Sequence, residues 1–291
     1  MAPRRAVEHR LRRLSADLRL GSRPRDALTH ILPLVETYGD PAVLGRTDRI
    51  AVIAGYVATP HLSRSLVTLV EQFEENGYVV VVVLASATPD RPIWPEGRTA
   101  PSLIVTKPNV GYDFGSWATA LHLYPHIAEA RHVILCNDSL LGPFASLAPM
   151  IHDFENSWSD VWGATDTTEF TPHLQSYLLG FTGGVLRHPA VLSFWRHIRD
   201  IADKDAIVVR YEIGLSRLLE REGFVSVPWF RSEDIVPEGG NPTTIGGSRL
   251  LEAGFPFVKR ILMDNPDVFP DCARARHVVA LQYSQDVDQW R

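Results

Sequence analysis

The segment HVILCNDSLLGPF, residues 132 to 144, gives the most direct indication of the fold of this chain. Its apolar run, Val133 to Cys136, is bounded by polar and turn residues, and a short run rich in β-branched residues is typical of a strand buried on both faces. Asp138 follows at the carboxyl end of that predicted strand. Because ligands of open α/β sheets bind at this end, the pattern favours a functional carboxylate. The alternative is an Asx turn made by Asn137 and Asp138.

The preceding sequence extends this strand into a sheet. An apolar run at 49–57, a helical stripe at 61–76 and a valine-rich run at 78–85 form a strand, a helix and a strand. Such units are right-handed and make their strands parallel, so a ligand-binding edge is predicted at Tyr56 and Ser86. The fold class predicted is therefore α/β, with a Rossmann-type, mostly parallel sheet flanked by helices.

Periodicity predicts the remaining elements and the division of the chain. Further strands are expected over 103–106, 160–165, 175–181 and 225–229, helices over 109–124, 191–201 and 208–223, and a long polar loop over 231–248. Residues 1–45 are predicted to be a basic, helical N-terminal extension, with a second helix over 26–38. Residues 46–291 are predicted to form the main domain.

Charge is unevenly distributed along the 291 residues. Residues 1–25 carry eight arginines and two acidic residues, a net charge of +6, whereas the whole chain carries −5, so the remainder carries −11. A body this acidic argues against nucleic acid as a partner. Val7, Leu11, Leu14 and Leu18 recur at helical spacing among the arginines. This pattern is typical of a helix that lies on an anionic membrane surface, and equally of a solvated helix that packs on the domain.

Targeting and redox features are sparse in the sequence. No stretch approaches the roughly 20 apolar residues that span a bilayer, and the N-terminus has no apolar signal region. The two cysteines, Cys136 and Cys272, lack metal-ligand spacing. We therefore expect a cytoplasmic protein, soluble or peripheral at the inner face of the membrane.

A helix is predicted to begin in NVGYDFGSW, residues 109 to 117. Asn109 or Asp113 can cap it, while Gly111 and Gly115 leave room for a ligand or for neighbouring backbone. The free N–H groups of a helix start favour a diphosphate. A parallel sheet, this helix start and a carboxylate at a central strand end together suit a GT-A-type nucleotide-sugar transferase.

Four segments also resemble a known family in order and spacing. They are NVGYDFGSW, VILCNDSLLGPF, DVWGATDTTEFTPHLQSYLLGF and YEIGLSRLLEREGF, and the likeness to the rhamnan synthesis protein F family covers about Arg49 to Pro266. The resemblance implies a rhamnosyltransferase of cell-wall and O-antigen polysaccharide assembly. Its donor would be a nucleotide-diphosphate sugar of the dTDP-rhamnose type, and its acceptor a glycan or a lipid-linked glycan.

A looser likeness to GT-A glycosyltransferases implies a metal ligand and a base. Their Asp-x-Asp motif ends a central strand, and Asn137-Asp138-Ser139 is similar in place but holds one carboxylate. Asp138 would then bind Mg²⁺ or Mn²⁺ alone, or share it with His173 or His277. Glu212 resembles their catalytic acidic residue, which implies an inverting reaction with Glu212 as base.

The predicted site divides into a donor side and an acceptor side. The donor side comprises Tyr56, Asn109, Gly111, Asp113, Asn137, Asp138, Ser139 and Lys259. The acceptor side comprises His173, Gln175 and Ser176. Several of these residues have alternative roles without function: Asp113 as a helix cap, His173 as a core histidine, and Lys259 with Arg260 as a solvated basic pair.

Two rival functions are considered. A nucleotidyltransferase would show a glycine-rich basic loop after the first strand, and GYVATPHLSRS, residues 55 to 65, lacks one. A non-catalytic nucleotide-sugar or glycan-binding protein of the same fold is consistent with the single carboxylate of residues 137–139.

Overall fold

The computed structural model describes residues 25–86 and 92–291. The basic helix predicted within residues 1–25, and the membrane contact expected of it, therefore lie outside the described residues except for Arg25. In the described part, no helix has both the length and the apolar character that are needed to cross a membrane.

A mostly parallel sheet organises the molecule. Among the described residues its strands are β1 (Glu36–Gly39), β2 (Arg49–Val57), β3 (Val79–Ser86), β4 (Leu103–Pro108), β5 (His132–Asn137), β7 (Val161–Thr167), β8 (His173–Leu174), β9 (Leu178–Thr182) and β10 (Ser226–Phe230). The order is β1-β4-β3-β2-β5-β9-β7-β10, with β8 paired to β7. β1 and β9 are antiparallel to their neighbours, while β4, β3, β2 and β5 are parallel. The predicted α/β fold is confirmed.

Helices cover both faces of this sheet. Their bounds are α1 (Ala27–Ile31), α2 (Arg64–Glu75), α3 (Tyr112–Leu123), α4 (His126–Glu129), α5 (Ala148–Asn156), α6 (Pro189–Arg196), α7 (Lys204–Ile207) and α8 (Ile213–Arg221). The C-terminal part adds α9 (Ser232–Ile235), α10 (Pro242–Ile245), α11 (Gly247–Glu252), α12 (Arg260–Asp264) and α13 (Cys272–Tyr283). A π-helical turn, Val208–Glu212, joins α7 to α8. A small two-stranded sheet pairs β6 (Leu140–Leu141) with β11 (Val258–Lys259).

The central strand β5 and the helix α2 of the strand–helix–strand unit illustrate why these residues fold as they do. Every residue of β5 is buried, as its apolar run predicted. The apolar stripe of α2 buries Leu66, Val70 and Phe73 against the sheet, and the Ser63 hydroxyl accepts from the Leu66 N–H at 3.2 Å. These contacts combine a helix cap with burial of one helix face.

Three predicted elements differ from the structure. The helix over 26–38 ends in a 3-10 turn at Leu34, and β1 then pairs with β4. Pro33 removes a helical N–H donor, and the free edge of β4 offers new partners to residues 36–39. Part of the predicted extension therefore belongs to the sheet.

The other two differences lie further along the chain. The helix over 191–201 runs instead from Pro189 to Arg196, because Ile198 and Asp200 form backbone hydrogen bonds with residues 25–27. The loop predicted over 231–248 contains α9 and α10 and the start of α11. Asn241 caps α10 by accepting from the Thr243 N–H at 3.1 Å, a turn interaction that polarity alone does not reveal.

Candidate functional site

The carboxyl ends of β2 and β5 border a crevice in the sheet. From β2 the sheet continues through β3 and β4 on one side and through β5 on the other, which makes this the topological switch point where ligands of open α/β sheets bind. The Tyr56 N–H donates to Oδ2 of Asp138 at 2.9 Å. A cavity of about 360 Å³ opens here, and Tyr56, His61, Asp138, Ser139 and Arg260 are among its lining residues.

Two basic residues reach this crevice through the small sheet. Pairing of β11 with β6 places Lys259 opposite Leu140, so the chain passes beside the end of β5. The Arg260 N–H donates to the Ser139 carbonyl at 2.9 Å, and its guanidinium donates to the Asp138 carbonyl at 3.4 Å. Nζ of Lys259 donates to Oγ of Ser139 at 3.0 Å. Lys259 and Arg260 are thus not a solvated pair but are bound to the end of the central strand.

Lys259 is partly buried, and the charges of two carboxylates act on it. Its Nζ is 4.3 Å from the centre of the Tyr177 ring, a cation–π contact. Burial lowers the pKa of Lys259 to about 8, although the negative charges of Glu212 and Asp113 act in the opposite direction. The amine therefore connects the donor side of the predicted site to the acceptor side.

A hydrogen-bonded chain joins the helix start to Lys259. Nδ2 of Asn137 donates to Oδ2 of Asp113 at 2.6 Å, and Oδ1 of Asn137 accepts from Oγ of Ser139 at 2.5 Å. Burial raises the pKa of Asp113. Burial, with a contribution from the charge of Asp113, also raises the pKa of Asp138 to about 6. The crevice therefore combines two carboxyl groups of increased proton affinity with two cations.

Glu212 lies at the end of the π-helical turn, where it contacts the acceptor side. Its Oε1 is 3.1 Å from Nε2 of His173, and its Oε2 accepts from the Ser176 N–H at 2.7 Å and from the Ser176 hydroxyl. Nδ1 of His173 lies 2.7 Å from the Thr171 carbonyl. Both ring nitrogens thus face acceptors, which favours the imidazolium.

The pKa shifts of this pair follow from the same contacts. Although burial alone would raise it, the donors from His173 and Ser176 hold the pKa of Glu212 below its ordinary value. Burial would lower the pKa of His173, but its hydrogen bond to Glu212 and the charge of that carboxylate raise it. The two side chains form a buried ion pair.

The helix start differs from its prediction. Gly111, rather than Asn109 or Asp113, is the N-cap residue of α3, and it has a left-handed φ of 76°. A Cβ at Gly111 would lie 3.1 Å from the Gly115 Cα and 3.3 Å from the Ala27 Cβ, so neighbouring backbone and not a ligand uses this space. Asn109 is exposed. The carboxylate of Asp113 lies in the first turn, where it would repel a diphosphate.

Gln175 is directed into the protein. Its Oε1 accepts from the Thr165 hydroxyl at 2.7 Å and its Nε2 donates to Oδ1 of Asn241 at 3.1 Å. The residue is 4% exposed. These contacts position the β7–β8 region, and they leave His173 and Ser176 as the acceptor-side residues that meet Glu212.

The donor atoms present bear on the predicted metal ion. The residues that the structure describes include no group of three or more His, Cys, Asp or Glu side chains that could hold a metal. Both nitrogens of His173 are already engaged, His277 is exposed on α13, and Asp138 has Arg260 for a neighbour. This set does not fit a divalent ion held by the protein alone.

Two residues of the site were missed from the sequence. Lys107 is the penultimate residue of β4, is 3% exposed and donates to the Val110 carbonyl at 2.8 Å, which supports the loop before α3. Burial lowers its pKa to about 8, and Asp113 is among the charges acting on it. Its position directly after a predicted strand was a usable indication. Nothing in the sequence indicated Tyr177, because the contact between its ring and the Lys259 ammonium depends on how the chain folds.

Comparisons with known proteins place this geometry in context. A family model described as rhamnan synthesis protein F matches residues 99–280. Virulence protein VirA of Vibrio anguillarum is 27% identical over 259 residues, which cover 77% of this chain and 82% of VirA. The uncharacterized protein y4gN of Sinorhizobium fredii is 30% identical over 139 residues, which cover 46% of this chain and 36% of y4gN. Apart from Tyr56 and His61, the site residues described above lie within the family match.

Proposed function

The chain belongs to the rhamnan synthesis protein F family, and from that membership we propose that it is a glycosyltransferase of cell-surface polysaccharide assembly. The observation that carries the proposal is the convergence of Lys259 and Arg260 with the carboxylates of Asp113, Asp138 and Glu212 at one sheet edge. Transfer from a nucleotide-diphosphate sugar requires cations for the leaving diphosphate and a carboxylate for the acceptor proton. This edge offers both.

The donor diphosphate is assigned to Lys259 and Arg260. Positioned cations stabilise the charge that develops on a leaving group, and they do so more strongly where water is excluded. The crevice beside Tyr56 and Asp138 would receive the rest of the donor, for which its volume of about 360 Å³ is suitable. The donor sugar proposed is rhamnose or a similar deoxysugar carried by a nucleotide such as dTDP, on the basis of the family name.

Glu212 is proposed as the base of an inverting transfer. The acceptor hydroxyl oxygen attacks the anomeric carbon, the bond from that carbon to the diphosphate oxygen breaks, and the hydroxyl proton passes to Glu212. A carboxylate has about four lone-pair sites. Three hydrogen-bond donors among the described residues already occupy lone-pair sites of Glu212. One lone-pair site is therefore left for the acceptor hydroxyl. His173 and Ser176 would fix the orientation of the carboxylate, and the acceptor is a glycan or a lipid-linked glycan.

A divalent ion would bind at this edge only together with the diphosphate of the donor. Mg²⁺ retains several waters and binds through one or two carboxylates together with substrate phosphates. Asp138 is the residue that would contact such an ion. No step of the transfer above depends on it.

The test is release of nucleoside diphosphate from a panel of nucleotide sugars, with a glycan acceptor and with Mg²⁺, Mn²⁺ or EDTA. Glu212→Gln should reduce transfer by about 10²-fold or more, since general bases contribute ~10²–10⁴-fold. Glu75→Gln is the matched control, because Glu75 is exposed at the end of α2. Unchanged turnover in Glu212→Gln would remove Glu212 from the mechanism, and turnover of no donor would contradict the transferase proposal.

The hydrogen bonding of Glu212 favours a second candidate, a non-catalytic nucleotide-sugar or glycan-binding protein. A carboxylate with a lowered pKa and three donors is a weak base. Binding of a nucleotide sugar without any release of nucleoside diphosphate, with and without acceptor, would support this candidate over the enzyme.

A further inference from the structure

A second cavity lies at the opposite end of the central strands from Asp138. It has a volume of about 430 Å³ and is lined by residues of α1, α3, α4 and α6. The turn after β9 contributes Arg187, and β9 ends at Thr182, opposite His132 at the start of β5. This cavity is therefore separate from the site described above.

The interior of this cavity is mainly apolar. Leu28, Ala118, Leu121, Ala128 and Leu192 are among its lining residues, and most of them are buried. An apolar cavity of this kind suits a hydrocarbon chain, because burying the chain removes apolar surface from water.

One polar group of the lining is unpartnered. Trp195 is 2% exposed, and its indole N–H has no hydrogen-bond acceptor among the described residues. The nitrogen itself has almost no accessible surface, so it does not face the open cavity, and the Trp195 ring forms part of the apolar wall. The Trp195 ring is held by stacking on Phe114, with centroids 5.8 Å apart.

The rim of the cavity is positive. Arg187 and Arg196 line it and are exposed, and neither has a carboxylate oxygen within 4.0 Å in the described ranges. Glu129 also lies at the rim, 2.8 Å from His126, so the two arginines leave the rim with one excess positive charge. Two free guanidinium groups beside an apolar cavity complement an anionic head on an apolar chain.

A groove on the other side of α6 adds to this charge. It is lined by Arg210, Arg217 and Arg221, which recur on one face of the helix that carries Glu212, and by His197. Arg221 is paired with Glu222, whereas Arg210 and Arg217 have no carboxylate partner among the described residues. Positive charge therefore lies on both sides of α6.

We propose that the cavity between α1, α3, α4 and α6 binds a single-chain anionic lipid. The hydrocarbon chain lies among the apolar residues and against the Trp195 ring, and a phosphate head contacts Arg187 and Arg196. This site is independent of the sugar-transfer proposal, since it shares no residue with the catalytic edge.

The test is calorimetric titration of the full chain with dodecyl phosphate below its micelle concentration. Dodecyltrimethylammonium, dodecyl maltoside and inorganic phosphate serve as probes with a positive head, a neutral head and no chain. Dodecyl phosphate should bind saturably and at least about tenfold tighter than each of the others, because an arginine beside a lipid phosphate contributes about fivefold. Absence of saturable binding, or equal affinity for the three amphiphiles, would overturn the proposal.

Two variants locate the site. Arg187→Gln with Arg196→Gln should weaken dodecyl phosphate binding about tenfold or more. The matched control is Arg231→Gln with Arg274→Gln, which removes the same charge from ion pairs elsewhere on the surface. Leu192→Trp should fill the cavity and abolish binding, while circular dichroism and a cooperative thermal unfolding transition verify that the variant is folded. Binding that neither variant changes would place the lipid elsewhere and contradict the assignment.

Discussion

At the scale of single residues, we expect donor binding to depend most on Lys259. It is bound to Ser139, contacts the Tyr177 ring and is acted on by the charges of Glu212 and Asp113. Burial lowers the pKa of Lys259 to about 8, close to neutral pH. The negative charges of the two carboxylates act in the opposite direction and stabilise the ammonium at this partly buried position. The charge of Lys259 is therefore sensitive to small changes in pH.

We expect nucleoside diphosphate affinity to fall as pH rises from 7 to 9. A lysine carries its charge below its pKa, so raising the pH through about 8 removes a cation from the diphosphate site. Lys259→Met should bind more weakly at pH 7 and should lose most of this pH dependence. Titration calorimetry at several pH values measures it, with Arg274→Met as the control for loss of a surface cation. An equally steep decline in Lys259→Met would mean that another group titrates.

The His173–Glu212 pair leads to a prediction about stability. The pKa of Glu212 is lowered, so its contribution exists above the ordinary value of 4.5 and is lost as pH falls through its folded-state pKa. The pKa of His173 is raised, so its contribution is complete below 6.5 and is lost as pH rises through its folded-state pKa. The pair should therefore stabilise the fold most between about pH 4.5 and 6.5.

Replacement of His173 measures this contribution. His173→Asn should lower the free energy of unfolding by about 2 kcal/mol at pH 6, the order expected for a charge-assisted hydrogen bond. The difference from wild type should shrink as the pH approaches 9. Urea unfolding at pH 6 and pH 9 gives both values. A difference that does not change with pH would show that His173 acts as a neutral ring.

At the scale of elements, the start of α3 positions Asp113 through a glycine. Gly111→Ala places a Cβ 3.1 Å from Gly115 in a left-handed conformation, whereas Gly97→Ala imposes a similar φ of 74° with nothing within 4 Å. A left-handed non-glycine residue costs roughly 1–2 kcal/mol. Gly111→Ala should lower the free energy of unfolding by more than Gly97→Ala does. Equal losses in chemical denaturation would show that crowding at Gly111 is relieved without cost.

Sequence patterns predicted the long elements but not the short ones. β2, β3 and α2 have apolar patterns that extend over six residues or more, and the four-residue apolar run of β5 is bounded by polar residues, so their burial could be inferred. The two-residue pair of β6 and β11 has no period, although it is what brings Lys259 to the end of β5. β1 depends on a free sheet edge, which a local pattern does not contain.

The candidate site was predicted in its composition more than in its connections. Asp138 and Glu212 are singled out by a strand end, a helix start and likeness to known families, and Lys259 as one of two adjacent basic residues. The structure brings the three to one edge. The sequence did not indicate that Glu212 would be bound by both His173 and Ser176, or that Gln175 would be directed inward. Those outcomes depend on side-chain directions set by tertiary packing.

At the scale of the whole molecule, the two ends of the sheet have different chemistry. The carboxyl ends of β2 and β5 carry the cations and carboxylates proposed for sugar transfer. The other end, near the start of β5, carries the cavity proposed for a lipid. An enzyme that acts on a lipid-linked glycan would have use for both, and each can be tested without the other.

The most direct test of the central claim is a thermal-shift screen of nucleoside diphosphates and their sugars, with Mg²⁺, Mn²⁺ or EDTA. A ligand at about 100 times its dissociation constant adds about 2.7 kcal/mol to the stability of the native state. We predict that one nucleotide family stabilises the wild type and that Lys259→Met loses most of this shift. The arms with and without metal, repeated on Asp138→Asn, decide whether a divalent ion accompanies the donor. Stabilisation by no nucleotide, or a full shift in Lys259→Met, would contradict the assignment of this edge as the donor site.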